Sequence, residues 1–473
     1  MLWLIKPSPG DTGPVSNAIA LESDYPRLFV SLAVCFDGCG KQGSDMSGSV
    51  SGLAAGRPTA VQSRRAIYAA TIGNVMEWYD FGVFGYLAGS LALNFFPKGD
   101  PASALLNTFL VFGVGLIFRP LGGIVIGRLG DTRGRKPALV LTILMMAVGT
   151  VIIGLLPTYS AIGVMAPVLL LVARLLQGFS TGGEWGGATA FMAEWSVEGR
   201  RGLYTSFQQM SVAGGGLLGV GLAALLTSLI GSDAINDWGW RIPFLLGGLF
   251  GPIGLWLRRR VDETPPYRAT VAEGEAAEAS TFSHAVQAFG FTILWTVSFY
   301  VFLTYMPTYT RTQLHLTAAQ SLWASTASLF TLVILVPLMG ALSDRIGRKK
   351  LLLASCALCF IIPIPAFYVL TRGYGFASVV LIQIIFAAAI SLFSGPGPAA
   401  ISEIFPTRGR STWMSSSYAL AVAIFGGFAP YISQWLIDAT GSKMAPTAYV
   451  MAAAAISFIT IAGLRETAHD PLR

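Results

Sequence analysis

Gly127-Arg-Leu-Gly-Asp131-Thr-Arg-Gly134-Arg135-Lys136 and Gly340-Ala-Leu-Ser-Asp344-Arg-Ile-Gly347-Arg348-Lys349 are two versions of one decapeptide. Six of ten positions are identical, and the copies stand 213 residues apart in a chain of 473, so the sequence doubles one unit. Each copy joins two apolar windows long enough to cross a bilayer as a helix of roughly 20 residues. Such windows fall at 66–95, 103–129, 137–156, 161–193, 201–230 and 241–258, and again at 284–309, 318–343, 350–371, 374–404, 411–438 and 445–464. Strand-like alternation is missing from them, and lipid leaves no backbone group unpaired, so helices rather than a barrel are expected. The fold class is therefore an all-α polytopic membrane protein, with twelve transmembrane helices in two pseudo-symmetric six-helix bundles.

Composition points the same way. Hydrophobic residues make up 53% of the chain and charged residues only 12%, and a mean hydropathy of +0.63 excludes a soluble enzyme of this length. Alternate loops differ sharply in charge. Those around Arg64, Arg128–Lys136, Arg200, Arg258–Arg268, Arg345–Lys350 and Arg408 hold 18 basic residues, and the opposite loops hold five, which puts the basic side and both termini in the cytoplasm. The basic excess behind a pI near 9.3 faces lipid headgroups, so no nucleic-acid partner is expected.

The expected organisation is a polar N-terminal tail (1–62), an N-terminal bundle (63–258), a cytoplasmic linker (259–283), a C-terminal bundle (284–465) and a C-terminal tail (466–473). Translation is expected to start at Met46, leaving 1–45 as upstream sequence. Cys356 and Cys359, one turn apart in an apolar helix, read as packing residues. The three histidines lie at helix ends or in loops and form no metal site or nucleophilic triad, so no metal, no cofactor and no enzyme chemistry are expected.

The chemistry then rests on charges inside the apolar windows, where they are costly and functional. Glu77 and Asp80 are three residues apart and share a helix face. Glu77 lies about 11 residues, or roughly 16 Å, from the basic-side end of its helix, and Arg119 of the next window lies at about the same depth. Glu184 is at similar depth and Arg174 lies farther toward the other side, so two bases and three acids form a buried cluster in the N-terminal half. A carboxyl group in lipid holds a proton more firmly alone than beside a guanidinium, so a solute that competes for the arginine can couple to protonation. A plain structural tie between Glu77 and Arg119 is the competing reading.

Gly73-Asn-Val-Met-Glu77-Trp-Tyr-Asp80-Phe-Gly, Phe118-Arg119-Pro-Leu-Gly-Gly, Ala173-Arg174-Leu-Leu-Gln-Gly178, Gly182-Gly-Glu184 and Asp237-Trp-Gly-Trp-Arg241-Ile-Pro-Phe together resemble the metabolite:proton symporter family, a branch of the major facilitator superfamily. The resemblance runs from about residue 62 to the C-terminus. It implies the twelve-helix major facilitator fold, alternating access to a central cavity, and proton-driven solute uptake across the cell inner membrane. It carries proton coupling to Glu77 and Asp80, with Arg119, and cavity or relay roles to Arg119 and Arg174. A cytoplasmic gate is implied at Gly127, Asp131, Arg135, Gly340, Asp344 and Arg348. Glu194 with Arg200 and Glu403 with Arg408, the two acids 209 residues apart, are expected to complete it.

Gly395-Pro396-Gly397-Pro398 interrupts the tenth helix and reads as a hinge. Two arginines suit a carboxylate through paired hydrogen bonds, and Glu184 belongs to the same cluster. Trp78, Tyr79, Trp185 and Tyr305 could instead enclose a quaternary ammonium. Both readings stay open: a small organic acid such as a di- or tricarboxylate is favoured over a zwitterion such as proline or glycine betaine, and a drug or metabolite exporter comes third. The partners are the small-molecule solute, H+ and the lipid bilayer, and the protein is expected to be a monomer.

Overall fold

Peptide groups in lipid have to be paired within their own segment, and the described residues do so as twelve successive helical columns. The computed structural model describes residues 60–259 and 282–470, apart from Lys98, Gly134, Gly183, Trp195, Glu198 and 407–409. The expectations for 1–59, including the start at Met46, for most of the linker and for Arg408 lie outside the described residues. So do the side chains of Asp131, Arg135, Glu184 and Glu194, and the packing around Gly127.

In order, α1 comprises Ala60–Tyr86 and Ala88–Phe95, α2 Pro101–Ile117 and Arg119–Arg133, α3 Arg135–Leu155, and α4 Met165–Thr181 and Glu184–Glu194. Then come α5 (Arg201–Gly239) and α6 (Arg241–Arg259). The second half has α7 (Phe282–Gln313), α8 (Ala318–Ile346), α9 (Arg348–Thr371) and α10 (Phe376–Ile404). It ends with α11, formed by Arg410–Ala421, Val422–Gly426 and Ala429–Thr440, and α12 (Pro446–Gly463). The first helix begins at Ala60, slightly inside the stretch read as tail.

Nine of these columns are long and apolar enough among the described residues to cross a membrane. Large apolar side chains such as Leu229, Ile361 and Ile459 stand on the outer surface at 71%, 63% and 73% exposure, which suits lipid and not water. Some of the columns are irregular. α5, α7 and α11 each contain a π-helical stretch, at Ile235–Gly239, Tyr300–Tyr305 and Val422–Gly426, a distortion frequent at functional positions. α10 is broken at Gly395–Pro396, as the Gly-Pro run led one to expect. A Cβ at Gly395 would come within 2.6 Å of the Gly340 backbone nitrogen, so this break is also where α10 packs closely on α8.

Candidate functional site

Backbone contact sets the register of the two arginines. A Cβ on Gly178 of α4 would strike the Gly115 carbonyl of α2, and one on Gly182 would strike the Arg119 carbonyl. With no side chains between them, the two helices bring Arg119 and Arg174 to one side of α1, where both are at most 2% exposed.

Two polar networks result. In the first, Arg119 donates from Nη2 to Glu77 Oε1 at 2.6 Å and from Nε to Thr181 Oγ1 at 2.8 Å. In the second, Thr150 Oγ1 of α3 donates to Asp80 Oδ2 at 2.6 Å, Gln177 Nε2 donates to Thr150 Oγ1 at 2.8 Å, and Arg174 Nη1 donates to Gln177 Oε1 at 2.8 Å. Asp80 is thus joined to Arg174 through two neutral side chains and not by an ion pair. Glu77, Asp80, Thr142, Ser180 and Thr181 line a cavity of about 30 Å³ beside α6, large enough to hold water.

Aromatic rings occupy the space between the bundles. The Arg174 guanidinium lies over Phe84, Phe81 and Phe112 at 4.2, 4.7 and 5.0 Å, and that of Arg119 over Phe81 and Trp78 at 5.1 and 5.5 Å. Trp78 meets Phe299 of α7 edge-on at 5.5 Å, and Tyr300 meets Phe112 at 5.8 Å. Trp185 stacks on Tyr418 at 3.5 Å, with Trp295 edge-on at 5.8 Å.

Around these rings, buried donors have no partner among the described residues: Arg119 Nη1, Arg174 Nε and Nη2, Trp78 Nε1, Trp185 Nε1 and the Tyr300 hydroxyl. Tyr300 is within electrostatic reach of both arginines and of Glu77. Unpaired buried donors are costly and rare, and donors clustered beside two guanidinium groups can pair with an anionic group.

Two of the aromatic expectations need correction. Tyr79 turns away from this space and donates its hydroxyl to the Pro243 carbonyl of α6 at 2.8 Å. Being two residues past Glu77, it sits about 200° round the helix, on the opposite face. Tyr305 donates to Gln434 Oε1 of α11 at 2.7 Å and packs against Phe109, away from the arginines. Trp78 and Trp185 do face the space between the bundles. Thr150, Gln177, Thr181, Tyr300 and Tyr418 were not anticipated. Only Gln177 carried a signal, as the residue one helical turn from Arg174.

At the end carrying the basic loops the two bundles are tied together. Asp344 accepts from the backbone N–H groups of Gly202 and Leu203, at the start of α5, at 2.7 and 2.9 Å. Arg348 pairs with Asp344 at 3.1 Å and with Glu403 at 3.0 Å, and Glu403 also takes Arg201 Nη1 at 2.6 Å. The partner of Glu403 from the other bundle is Arg201; Arg200 is exposed and makes no side-chain pair among the described residues. A Cβ on Gly340 would come within 2.6 Å of Ser206 Cβ, so a glycine there lets α8 close on α5.

Residues 466–470, within the stretch read as tail, belong to this network. Glu466 accepts from the N–H groups of Arg348 and Lys349 at 3.0 and 2.9 Å, capping α9, and Thr467 donates to Glu403 at 2.5 Å. Gly347 has φ +100°, and a Cβ there would meet Glu466 Oε2, so this position of the decapeptide needs glycine. Burial pushes the Glu466 carboxyl up, but the four N–H groups of Arg348, Lys349, Ala468 and Thr467 outweigh it and hold the group below the ordinary carboxylate range.

A doubled six-helix bundle with buried charges at its centre and a charged clamp at one end defines a membrane transporter, not an enzyme. The chain matches the family described as "Sugar (and other) transporter" over residues 66–288 and that described as "Major Facilitator Superfamily" over 288–472. It is 34% identical to the proline/betaine transporter of Escherichia coli (strain K12) over 87% of this chain and 85% of the relative. It is 38% identical to the alpha-ketoglutarate permease of the same organism, over 85% and 94%. The citrate-proton symporter of Klebsiella pneumoniae is 36% identical, over 85% and 91%. A partially occluded, inward-open structure of the xylose transporter XylE from E. coli superposes with a TM-score of 0.71 at 16% identity, covering 86% of this chain and 99% of that one, which shows the shared fold. The chain belongs to the metabolite:proton symporter family of the major facilitator superfamily.

Proposed function

We propose that the protein is a proton-coupled symporter that imports a small organic acid, such as a di- or tricarboxylate, across the inner membrane, with both termini in the cytoplasm and one chain as the working unit. The observation that carries this reading is the set of partnerless buried donors on Arg119, Arg174, Trp78 and Tyr300. A carboxylate solute satisfies them with charge-assisted hydrogen bonds.

The coupling follows from competition. Arg119 is held by Glu77 at 2.6 Å. A solute carboxylate that takes over Arg119 leaves Glu77 without its counter-charge in a low-dielectric setting, and the carboxyl then binds a proton. Arg174 is linked to Asp80 through Gln177 and Thr150, so solute on Arg174 reaches the second acid in the same way. Solute and proton are carried together because each makes the other's binding more favourable.

A zwitterion is the second reading, favoured by the rings of Trp78, Phe299 and Tyr300 beside the arginines. Proline or glycine betaine would put its carboxylate on the guanidinium groups and its ammonium among those rings. Proteoliposomes with an imposed inward proton gradient, supplied in turn with alpha-ketoglutarate, citrate, proline and glycine betaine, separate the two. Accumulation of a dicarboxylate or tricarboxylate supports the first reading. Accumulation of only the last two replaces it with the second. Under either, Glu77→Gln loses gradient-driven accumulation and keeps solute counterflow at equal pH; full accumulation in that variant removes Glu77 from the coupling.

A further inference from the structure

A second cavity, of about 250 Å³ and mostly apolar, lies between the bundles at the end away from the basic loops, and it has walls from both halves: α1, α2 and α5 on one side, α7 and α8 on the other. Arg311, in the last turn of α7, is its one charged lining residue among those described. Its guanidinium reaches across to α1, where a Cβ on Gly89 would lie 3.3 Å from Arg311 Nη1. Among the described residues no carboxylate pairs with it.

An arginine there is usually explained as a favourable charge at a helix C-terminus. That role is already filled, because Lys443 Nζ donates to the Gln313 carbonyl at 2.7 Å. Most other hydroxyls of the cavity are satisfied, as Thr227 is by the Ala223 carbonyl and Thr312 by the Thr308 carbonyl, but one is not. Ser321 Oγ is 1% exposed as a residue and has no partner among the described residues. Ser90 Oγ donates to Asn236 Oδ1 at 2.8 Å, which fixes the half-buried Asn236 amide in the cavity wall. A guanidinium with no carboxylate partner, an unpaired buried hydroxyl and a side-chain amide thus line one space that has no acidic wall among the described residues.

We infer that this cavity is an outer anion-binding station: it takes a carboxylate of the solute on Arg311, Ser321 and Asn236 before the solute reaches the central arginines. The natural occupant rests on the organic-acid reading above, but the anion selectivity of the cavity does not. A single positive charge at the mouth of a low-dielectric cleft concentrates anions and raises their rate of entry. Because both bundles contribute, the bound anion also meets each half of the molecule before transport begins.

The test places Thr312→Cys at the cavity rim of the full chain with its four native cysteines changed to serine. Reaction is measured with an anionic sulfonatoethyl and a cationic trimethylammonioethyl methanethiosulfonate, with and without citrate. The anionic reagent is expected to lose about tenfold of its relative rate in Arg311→Gln and to keep it in Arg311→Lys. Citrate should slow labelling only where the charge is present, and Ser321→Ala should weaken that protection. In uptake, Arg311→Gln is expected to raise the half-saturating external concentration about tenfold with little change in maximal rate. Equal reagent ratios with and without the Arg311→Gln substitution overturn the inference, whatever the solute proves to be. If the organic-acid reading alone is wrong, the reagent discrimination persists while no acid is accumulated.

Discussion

Thr150 has one hydroxyl proton and two acceptors for it, Asp80 Oδ2 at 2.6 Å and the Met146 carbonyl at 2.9 Å. With Asp80 ionised, the proton points to the carboxylate. With Asp80 protonated, the acid donates to Thr150 Oγ1 and the hydroxyl proton turns to Met146; in both states Oγ1 still accepts from Gln177. The residue therefore lets Asp80 change charge without leaving a buried group unpaired, while keeping Arg174 informed through Gln177. Thr150→Val preserves the shape and removes both functions. A hydrogen bond to a charged group contributes about 1.5–3 kcal/mol, so proton-driven accumulation should fall roughly tenfold or more. Counterflow at equal pH should change little, and Thr150→Ser should restore coupling. Equal losses in both assays would assign Thr150 to packing. The four charged residues of this region were legible in the sequence because a charge in lipid is costly and conspicuous. Thr150 and Tyr300 were not, since hydroxyl-bearing residues are common in membrane helices and only the fold shows which of them meet a charge.

At the scale of helices, the charged ends of α5, α8, α9 and α12 converge because their backbones come close. Gly340→Val would press a branched side chain against Ser206 and the Gly202 carbonyl. Such overpacking typically costs about 1–3 kcal/mol, and here separation of α5 from α8 relieves it. Cysteines introduced on the facing surfaces of those helices should react faster from the basic-loop side; unchanged reactivity would mean that neighbouring side chains absorb the extra volume. Glu466 acts on α9 by capping its first N–H groups. Its carboxyl is held lower in the folded protein than its ordinary value of 4.5, so this stabilisation is complete above that pH and is lost as pH falls through the lowered folded value. Glu466→Gln should lower the melting temperature at neutral pH by an amount equivalent to about 0.5 kcal/mol, a helix-cap effect reduced by solvent screening. The difference from wild type should shrink only on acidification below about 4.5, and a constant gap would point to packing instead. The internal repeat made the helix order readable, but not the contacts between the halves: the spacing shared by Glu194 with Arg200 and Glu403 with Arg408 gave no sign that Glu403 also takes Arg201 of the other bundle. A repeat encodes the halves, and the contacts between them break its symmetry.

For the molecule as a whole, what matters is how firmly the two bundles hold each other at that end. Three charge-assisted bonds shorter than 3.0 Å cross there among the described residues: Asp344 to the N–H groups of Gly202 and Leu203, and Arg201 to Glu403. Arg348 belongs to the same bundle as both acids and keeps them aimed across the gap. Opening toward the basic-loop side has to break all three crossing bonds. Arg201→Gln weakens one, so the shift should be about 1.5 kcal/mol, or roughly tenfold in the ratio of open to closed molecules. Asp344→Asn weakens two and removes the charge that the start of α5 favours, and should shift the ratio further. Spin labels on Val197→Cys and Lys350→Cys, both exposed and on opposite bundles, would report this as a growing long-distance population. Linkage requires a matching change in binding: affinity for solute offered from the opposite side should fall as that population grows. A longer distance with unchanged affinity would separate this clamp from alternating access. Unchanged distances in both variants would show that the aromatic contacts at the centre, rather than the charged clamp, hold the closed state.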